Sequence, residues 1–146
     1  MAATQSFKSH TRWDPIYHFF TIPILLANVI IVGVAVARSH NAIGFASIWS
    51  VVFAIAVFLV ALKARLYALG AQDRVIRLEE RLRLASMIPA EQMAELESLT
   101  MRQYIGLRFA SNPELPALAR RAIREKLTEK QIKEAIVSWR ADNDRI

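Results

Sequence analysis

Three histidines, His10, His18 and His40, are the residues of this chain best suited to hold a metal or a haem. A closed metal site needs about four ligands around one point, and a catalytic one about three. His18 and His40 lie near opposite ends of an apolar stretch long enough to cross a bilayer, so a single chain cannot bring them together. His10 and His18 are close enough in sequence to meet, but no third ligand stands near them. The chain has no cysteine, which excludes disulfides, thiolate ligands and cysteine nucleophiles and leaves the redox compartment open. No metal and no cofactor is expected.

The other polar residues point to binding chemistry no more strongly. Asn28, in the middle of the apolar stretch, could line a water or ion path. An interhelical hydrogen bond worth about 0.6–2 kcal/mol explains it more simply. The segment "TEKQIKEAIVSW", residues 128–139, has the length of a DNA recognition helix. Its Lys130 and Lys133 are balanced by Glu129 and Glu134, whereas a phosphate-binding face needs a basic surplus, so no nucleic-acid partner is expected. A glycine-rich phosphate loop, a Ser-His-Asp pattern and a hydrolytic acid pair are all missing, so no catalytic residue is assigned and the chain does not read as an enzyme.

The composition divides the chain instead. Of its 146 residues 54% are hydrophobic, yet the net charge is +6. Residues 16–62 contain a single cation, Arg38, and no acid, while the remainder is densely charged. This pattern predicts an all-α membrane protein: a two-helix transmembrane hairpin, a second span continuing as a long cytoplasmic helix, and a small bundle of short helices.

The first span is "PIYHFFTIPILLANVIIVGVAVA", residues 15–37, and the second covers 43–62. Each reaches the roughly 20 residues needed to cross the hydrocarbon core. Asp14 before Pro15 is a helix start: a side-chain acceptor, then a residue whose missing N–H is not needed there. Trp13, Tyr17, Phe19 and Phe20 form an aromatic belt at that interface. Lys8 and Arg12 flank one end, Lys63 and Arg65 the other, and the short turn between the spans has only Arg38. The excess of cations predicts that both termini, including the 1–14 tail, are cytoplasmic. Ala35-Val36-Ala37 fits a signal-cleavage pattern, but an apolar region of about 22 residues exceeds the usual 7–15.

Lys63 and Arg65 are also placed to meet anionic lipid, at about 1 kcal/mol each. Arg74 lies about 15 Å further along a straight helix, beyond the Debye length of roughly 8 Å.

Alternating steps of three and four from Ser47 pick out Ser47, Ser50, Ala54, Val57, Ala61, Ala64, Ala68, Ala71, Val75, Leu78, Leu82 and Ala85. All are small or apolar, which is the signature of an a/d helix-packing seam, here a coiled-coil stripe kept in one register. Small residues suit close packing in lipid, where Gly33 and Ala37 of the first span offer a matching pair. Val and Leu suit the aqueous part, residues 63–86, where burial from water is favourable. One helix from about Ile43 to Ala85 would be on the order of 65 Å long. Asp73 with Arg77 and Glu79 with Arg83 read as i,i+4 pairs on its exposed face, and Gly70 as a possible hinge. Either the C-terminal segment or a second copy of the chain covers the aqueous part of the seam.

Residues 87–146 read as short helices that form a cytoplasmic domain. "PAEQMAELESL" begins at Pro89. Capping boxes at Thr100/Gln103 and Thr128/Gln131 start two more helices. Asn112 caps another, with Pro113 in its first turn. Ile132, Ala135, Ile136 and Trp139 form the last apolar stripe, and no segment alternates at period two. About 60 residues is small for an independent core, which favours packing on the long helix.

The stretches "HTRWDPIYHFF" (10–20), "QDRVIRLEERLRL" (72–84), "LRFASNPELP" (107–116) and "IKEAIVSWRAD" (132–142) resemble an uncharacterised family of small two-span bacterial membrane proteins, a domain-of-unknown-function family. The resemblance implies a bacterial source and one connected unit of hairpin plus cytoplasmic helices, and it brings no functional residues with it. The chain therefore reads as a multi-pass protein of the bacterial inner membrane that acts by assembly, as a homo-oligomer or as an accessory subunit of a membrane complex. The alternative is an oligomeric channel or mechanosensitive pore, with Ser47, Ser50 or Asn28 facing the pore, although no charged ring or filter sequence is present.

Overall fold

The computed structural model describes residues 14–39 and 43–142. His10, Trp13, the other residues of 1–13, and His40 in the turn between the apolar segments lie outside them. Among the described residues every regular element is helical: a π-helical turn at Tyr17–Thr21, then α1 (Ile22–Ala37), α2 (Phe45–Ala85), α3 (Ala90–Met93), a 3-10 turn at Ala94–Leu96, α4 (Met101–Leu107), α5 (Leu115–Arg124) and α6 (Glu129–Ala135). The described residues divide into two compact units, one holding residues up to 69 and the other residues 70–142. α2 runs unbroken through Gly70, so that glycine is not a break in the helix.

In the first unit, two helices are long and apolar enough to cross a membrane. The start of the first is as expected: Asp14 Oδ1 accepts the Tyr17 N–H at 3.1 Å. Its first turns are wider than expected. Ile22 N–H reaches back to the Tyr17 carbonyl, a five-residue step, immediately before Pro23. A proline inside a helix has no N–H to give and crowds the preceding turn, and a π turn relieves both problems. The Tyr17 hydroxyl donates to the Ala61 carbonyl at 3.5 Å, and the Arg65 guanidinium lies 5.5 Å from the Tyr17 ring and 3.9 Å from Asp14.

In the second unit, the core gathers Leu84 of α2 with Leu96, Leu99, Tyr104, Leu107, Phe109, Leu115, Leu118, Ala119, Ala122, Ile132 and Ile136. Both capping boxes are present. Thr100 and Gln103 exchange their bonds at the start of α4, and Thr128 and Gln131 do so at α6. Gln103 is itself buried, and its amide also donates to the carbonyls of Ala122 and Leu127, which ties α4 to the end of α5. There α5 stops in a Schellman turn: Leu127 N–H returns to Ala122 O and Lys126 N–H to Ile123 O. Lys126 takes the left-handed position, with φ of 51°, where glycine is the usual residue.

Two expectations are corrected. Asn112 does not cap a helix, because its side chain is taken by Arg83; α5 begins at Leu115, with Glu114 before it. The last stripe does not stay helical either. α6 ends at Ala135, Ile136 is extended, and Trp139 forms an isolated antiparallel bridge with Ala110. Glu114 explains the change. Its carboxylate accepts the N–H groups of Ser111, Val137 and Ser138 at 3.0, 3.1 and 3.3 Å and so holds the chain after α6 extended.

Candidate functional site

The part of α2 from residue 70 onward carries two apolar stripes, and the fold treats them differently. Ile76, Glu80 and Leu84 are buried at 6%, 4% and 0% exposure, with Arg83 partly buried beside them. Val75, Leu78 and Leu82 remain 52%, 59% and 63% exposed. Ile76, Glu80, Arg83 and Leu84 are the b, f, b and c positions of the heptad in which Val75, Leu78 and Leu82 are a, d and a. At about 100° per residue the centres of the two stripes fall on opposite sides of the helix. The C-terminal helices therefore cover the face that a coiled coil leaves to solvent, and the seam stays bare.

Other seam residues fare differently along the helix. Ala54 is buried, and Ser47, Val57, Ala61 and Ala68 are half-buried. Ser50, Ala64, Ala71 and Ala85 are exposed, the Ser50 hydroxyl bonding the Ser47 carbonyl at 2.8 Å. Of the residues expected at a membrane interface, Phe19 and Phe20 are 72% and 64% exposed, Tyr17 is half-buried against the second apolar helix, and Trp13 lies outside the described residues. Lys63 is exposed, 5.9 Å from the Tyr67 ring, whereas Arg65 is drawn inward to Asp14 and Tyr17.

The buried stripe is locked by a polar network that the periodicity conceals. Arg83 does not pair with Glu79 as its spacing suggests. It donates to Glu80 at 3.0 Å, to the Ala110 carbonyl at 2.7 Å and twice to Asn112, at 2.8 and 2.6 Å. Arg140 adds a second, 3.5 Å contact to Glu80. Arg77 lies over the Tyr104 ring at 6.0 Å, and no bond to Asp73 is seen. The available signal was the i,i+4 series Ile76, Glu80, Leu84, interrupted by a charge at its centre.

Beside this network is a cavity of about 440 Å³ lined by Ile76, Glu79, Glu80, Leu82, Arg83, Arg108, Arg140, Ala141 and Asp142. Its three guanidiniums are matched by three carboxylates, with Arg108 and Asp142 paired at 3.2 Å. No net charge is left to select an anion or a cation. Among the described residues no group of His, Cys, Asp and Glu is arranged to hold a metal.

Burial pushes the Glu80 carboxyl above its ordinary value of 4.5, and Arg83 and Arg140 only partly offset this. The folded chain then holds the Glu80 proton to higher pH than the unfolded chain. Stability falls as pH rises from 4.5 through the folded-state value. Glu114 and Glu129 act in the opposite direction. Partial burial raises each, but hydrogen bonds from Ser111, Val137 and Ser138 to Glu114, and from Lys133 to Glu129, hold them below 4.5. Their stabilisation is present above 4.5 and is lost as pH falls through their folded values. In thermal unfolding of the detergent-solubilised protein, Glu80→Gln is expected to remove the decline on the alkaline side of pH 4.5 and leave the acid side unchanged. An unchanged alkaline slope would refute this assignment.

No curated protein and no solved structure matches the chain. Its whole length, residues 1–146, matches one family profile, and the chain belongs to that family, a family of unknown function (DUF6526).

Proposed function

We propose that the chain is a non-enzymatic protein of the bacterial inner membrane that works by assembly. The two apolar helices anchor it as a hairpin with both termini cytoplasmic, and α2 carries a helical domain to a second copy or to a partner in a membrane complex. The observation that carries this reading is the bare stripe of Val75, Leu78 and Leu82 opposite the face occupied by the chain's own helices. Each such side chain gains about 1.5–3 kcal/mol when it is taken from water, so a protein that leaves a row of them exposed in one register has a use for the row.

The apolar helices support the anchoring. None of the most apolar stretch of the first is buried within the chain and only 6% of that of the second, unlike the core helix of a water-soluble protein. The phenylalanines at 19 and 20 face outward, as side chains in contact with lipid would.

Assembly is tested by replacing Val75 and Leu78 with lysine together. Both side chains are exposed, so the thermal unfolding of the C-terminal unit should change by no more than about 0.5 kcal/mol. The complex seen on native gels of mild-detergent extracts should dissociate to monomer. A wild-type chain already monomeric in those extracts and in cross-linked native membranes would overturn the reading.

A further inference from the structure

The flanks of the bare stripe select a partner. With Val75 and Leu82 at a and Leu78 at d, the g positions are Arg74 and Arg81, and the charged e position is Glu79. All three are exposed, and none makes a salt bridge among the described residues. In a parallel coiled coil each g residue faces the e residue five positions later on its partner. A second copy therefore places its Glu79 opposite Arg74, and the pairing repeats on the other side of the seam. In an antiparallel pair g faces g and e faces e, which sets arginine against arginine and glutamate against glutamate. Parallel pairing of like chains turns Arg74 and Glu79 into an attractive pair and sets Arg81 opposite the neutral Ser86, and antiparallel pairing turns the charges into repulsion. The core agrees, because a β-branched residue at a with leucine at d, as in Val75 and Leu78, favours two strands.

We infer that the stripe from Ala71 to Ala85 is the interface with a second copy of this chain, in parallel and in register, with Arg74 of each copy paired to Glu79 of the other. The inference rests on the assembly reading above and names its partner. Two copies anchored in one membrane with the same topology also emerge side by side in parallel, as this pairing requires. The C-terminal helices do not obstruct it. They hold the opposite face, so intrachain packing and self-pairing use different surfaces of the same helix.

The chain has no cysteine, so one can be placed at will. Leu78→Cys in native membranes should give a disulfide-linked dimer on mild oxidation, and Ser98→Cys, exposed but off the stripe, should not. In the Leu78→Cys background, Arg74→Glu or Glu79→Arg alone makes two like-charge pairs and should cut the rate of dimer formation by roughly fivefold. The two reversals together should restore it. A Leu78 dimer that both single reversals leave unchanged, or that the double reversal fails to restore, overturns the parallel register while assembly stands. A cysteine at 78 that forms no dimer yet is shielded from thiol reagents means that another protein covers the stripe, and the second copy is excluded. If it forms no dimer and reacts freely, both the inference and the assembly reading fall.

Discussion

Replacing Arg83 with alanine is expected to destabilise the C-terminal unit by about 3–5 kcal/mol, the usual cost of removing one partner from a buried ion pair. The guanidinium joins α2 to segments distant in sequence: it holds Glu80 one turn back on α2, the Ala110 carbonyl three residues beyond α4, and the Asn112 side chain before α5. Without it, a carboxylate at 4% exposure keeps, among the described residues, the 3.5 Å contact to Arg140, and a carbonyl loses a charged donor. Arg83→Lys should fall between the two, since an ammonium keeps the charge but cannot span three acceptors in one plane. Adding Glu80→Gln to Arg83→Ala should recover part of the loss, because no unpaired charge then stays buried. Hydrogen exchange of the amides of α4 and α5 in the detergent-solubilised chain would read all three variants. Equal protection in wild type and Arg83→Ala would disprove the role given to Arg83.

What was legible in the sequence, and what was not, follows the range of each interaction. Asp14 caps Tyr17 and Thr100 caps Gln103 within three residues, so type and spacing sufficed to find them. The apolar lengths of α1 and the first half of α2 are likewise a property of continuous sequence. Asn112 looked like a cap by the same local rule and failed because Arg83, 29 residues earlier, took its side chain. The end of α6 failed for a similar reason. Glu114 captures the backbone of Val137 and Ser138 from 23 and 24 residues away, and no local propensity records that. The uncharged register that includes Val75, Leu78 and Leu82 is a property of the sequence, and these three side chains are exposed. That its opposite face carries a second buried stripe was hidden by Glu80, a residue that a hydrophobic pattern rejects and that Arg83 and Arg140 make tolerable.

Gly106 provides the sharpest test of how tightly the C-terminal helices are packed. It sits within α4 and is buried, and a Cβ added there would meet Ile132 Cγ2 at 3.0 Å, Ile132 Cβ at 3.1 Å and the Glu129 carbonyl oxygen at 3.2 Å. Two of these neighbours cannot yield without moving α6, because one is backbone and one is the Cβ of a side chain fully buried in the core. Glycine is otherwise a poor choice within a helix, about 1 kcal/mol worse than alanine, so close approach of α6 is the reason it is used. Gly106→Ala should therefore cost about 1 kcal/mol net despite its better helix propensity, and Gly106→Val about 3 kcal/mol as branched methyls are forced into the α4–α6 contact. Gly70 is the control. It lies in the same kind of helical backbone, but nothing comes within 4 Å of an added Cβ, so Gly70→Ala should stabilise α2 by up to about 1 kcal/mol. Opposite signs for the two alanine variants in chemical or thermal unfolding would establish that packing, not backbone conformation, sets the requirement at 106. Stabilisation by Gly106→Ala would mean that α4 and α6 can separate at little cost. The C-terminal helices would then be too loosely held to keep Ile76, Glu80 and Leu84 covered.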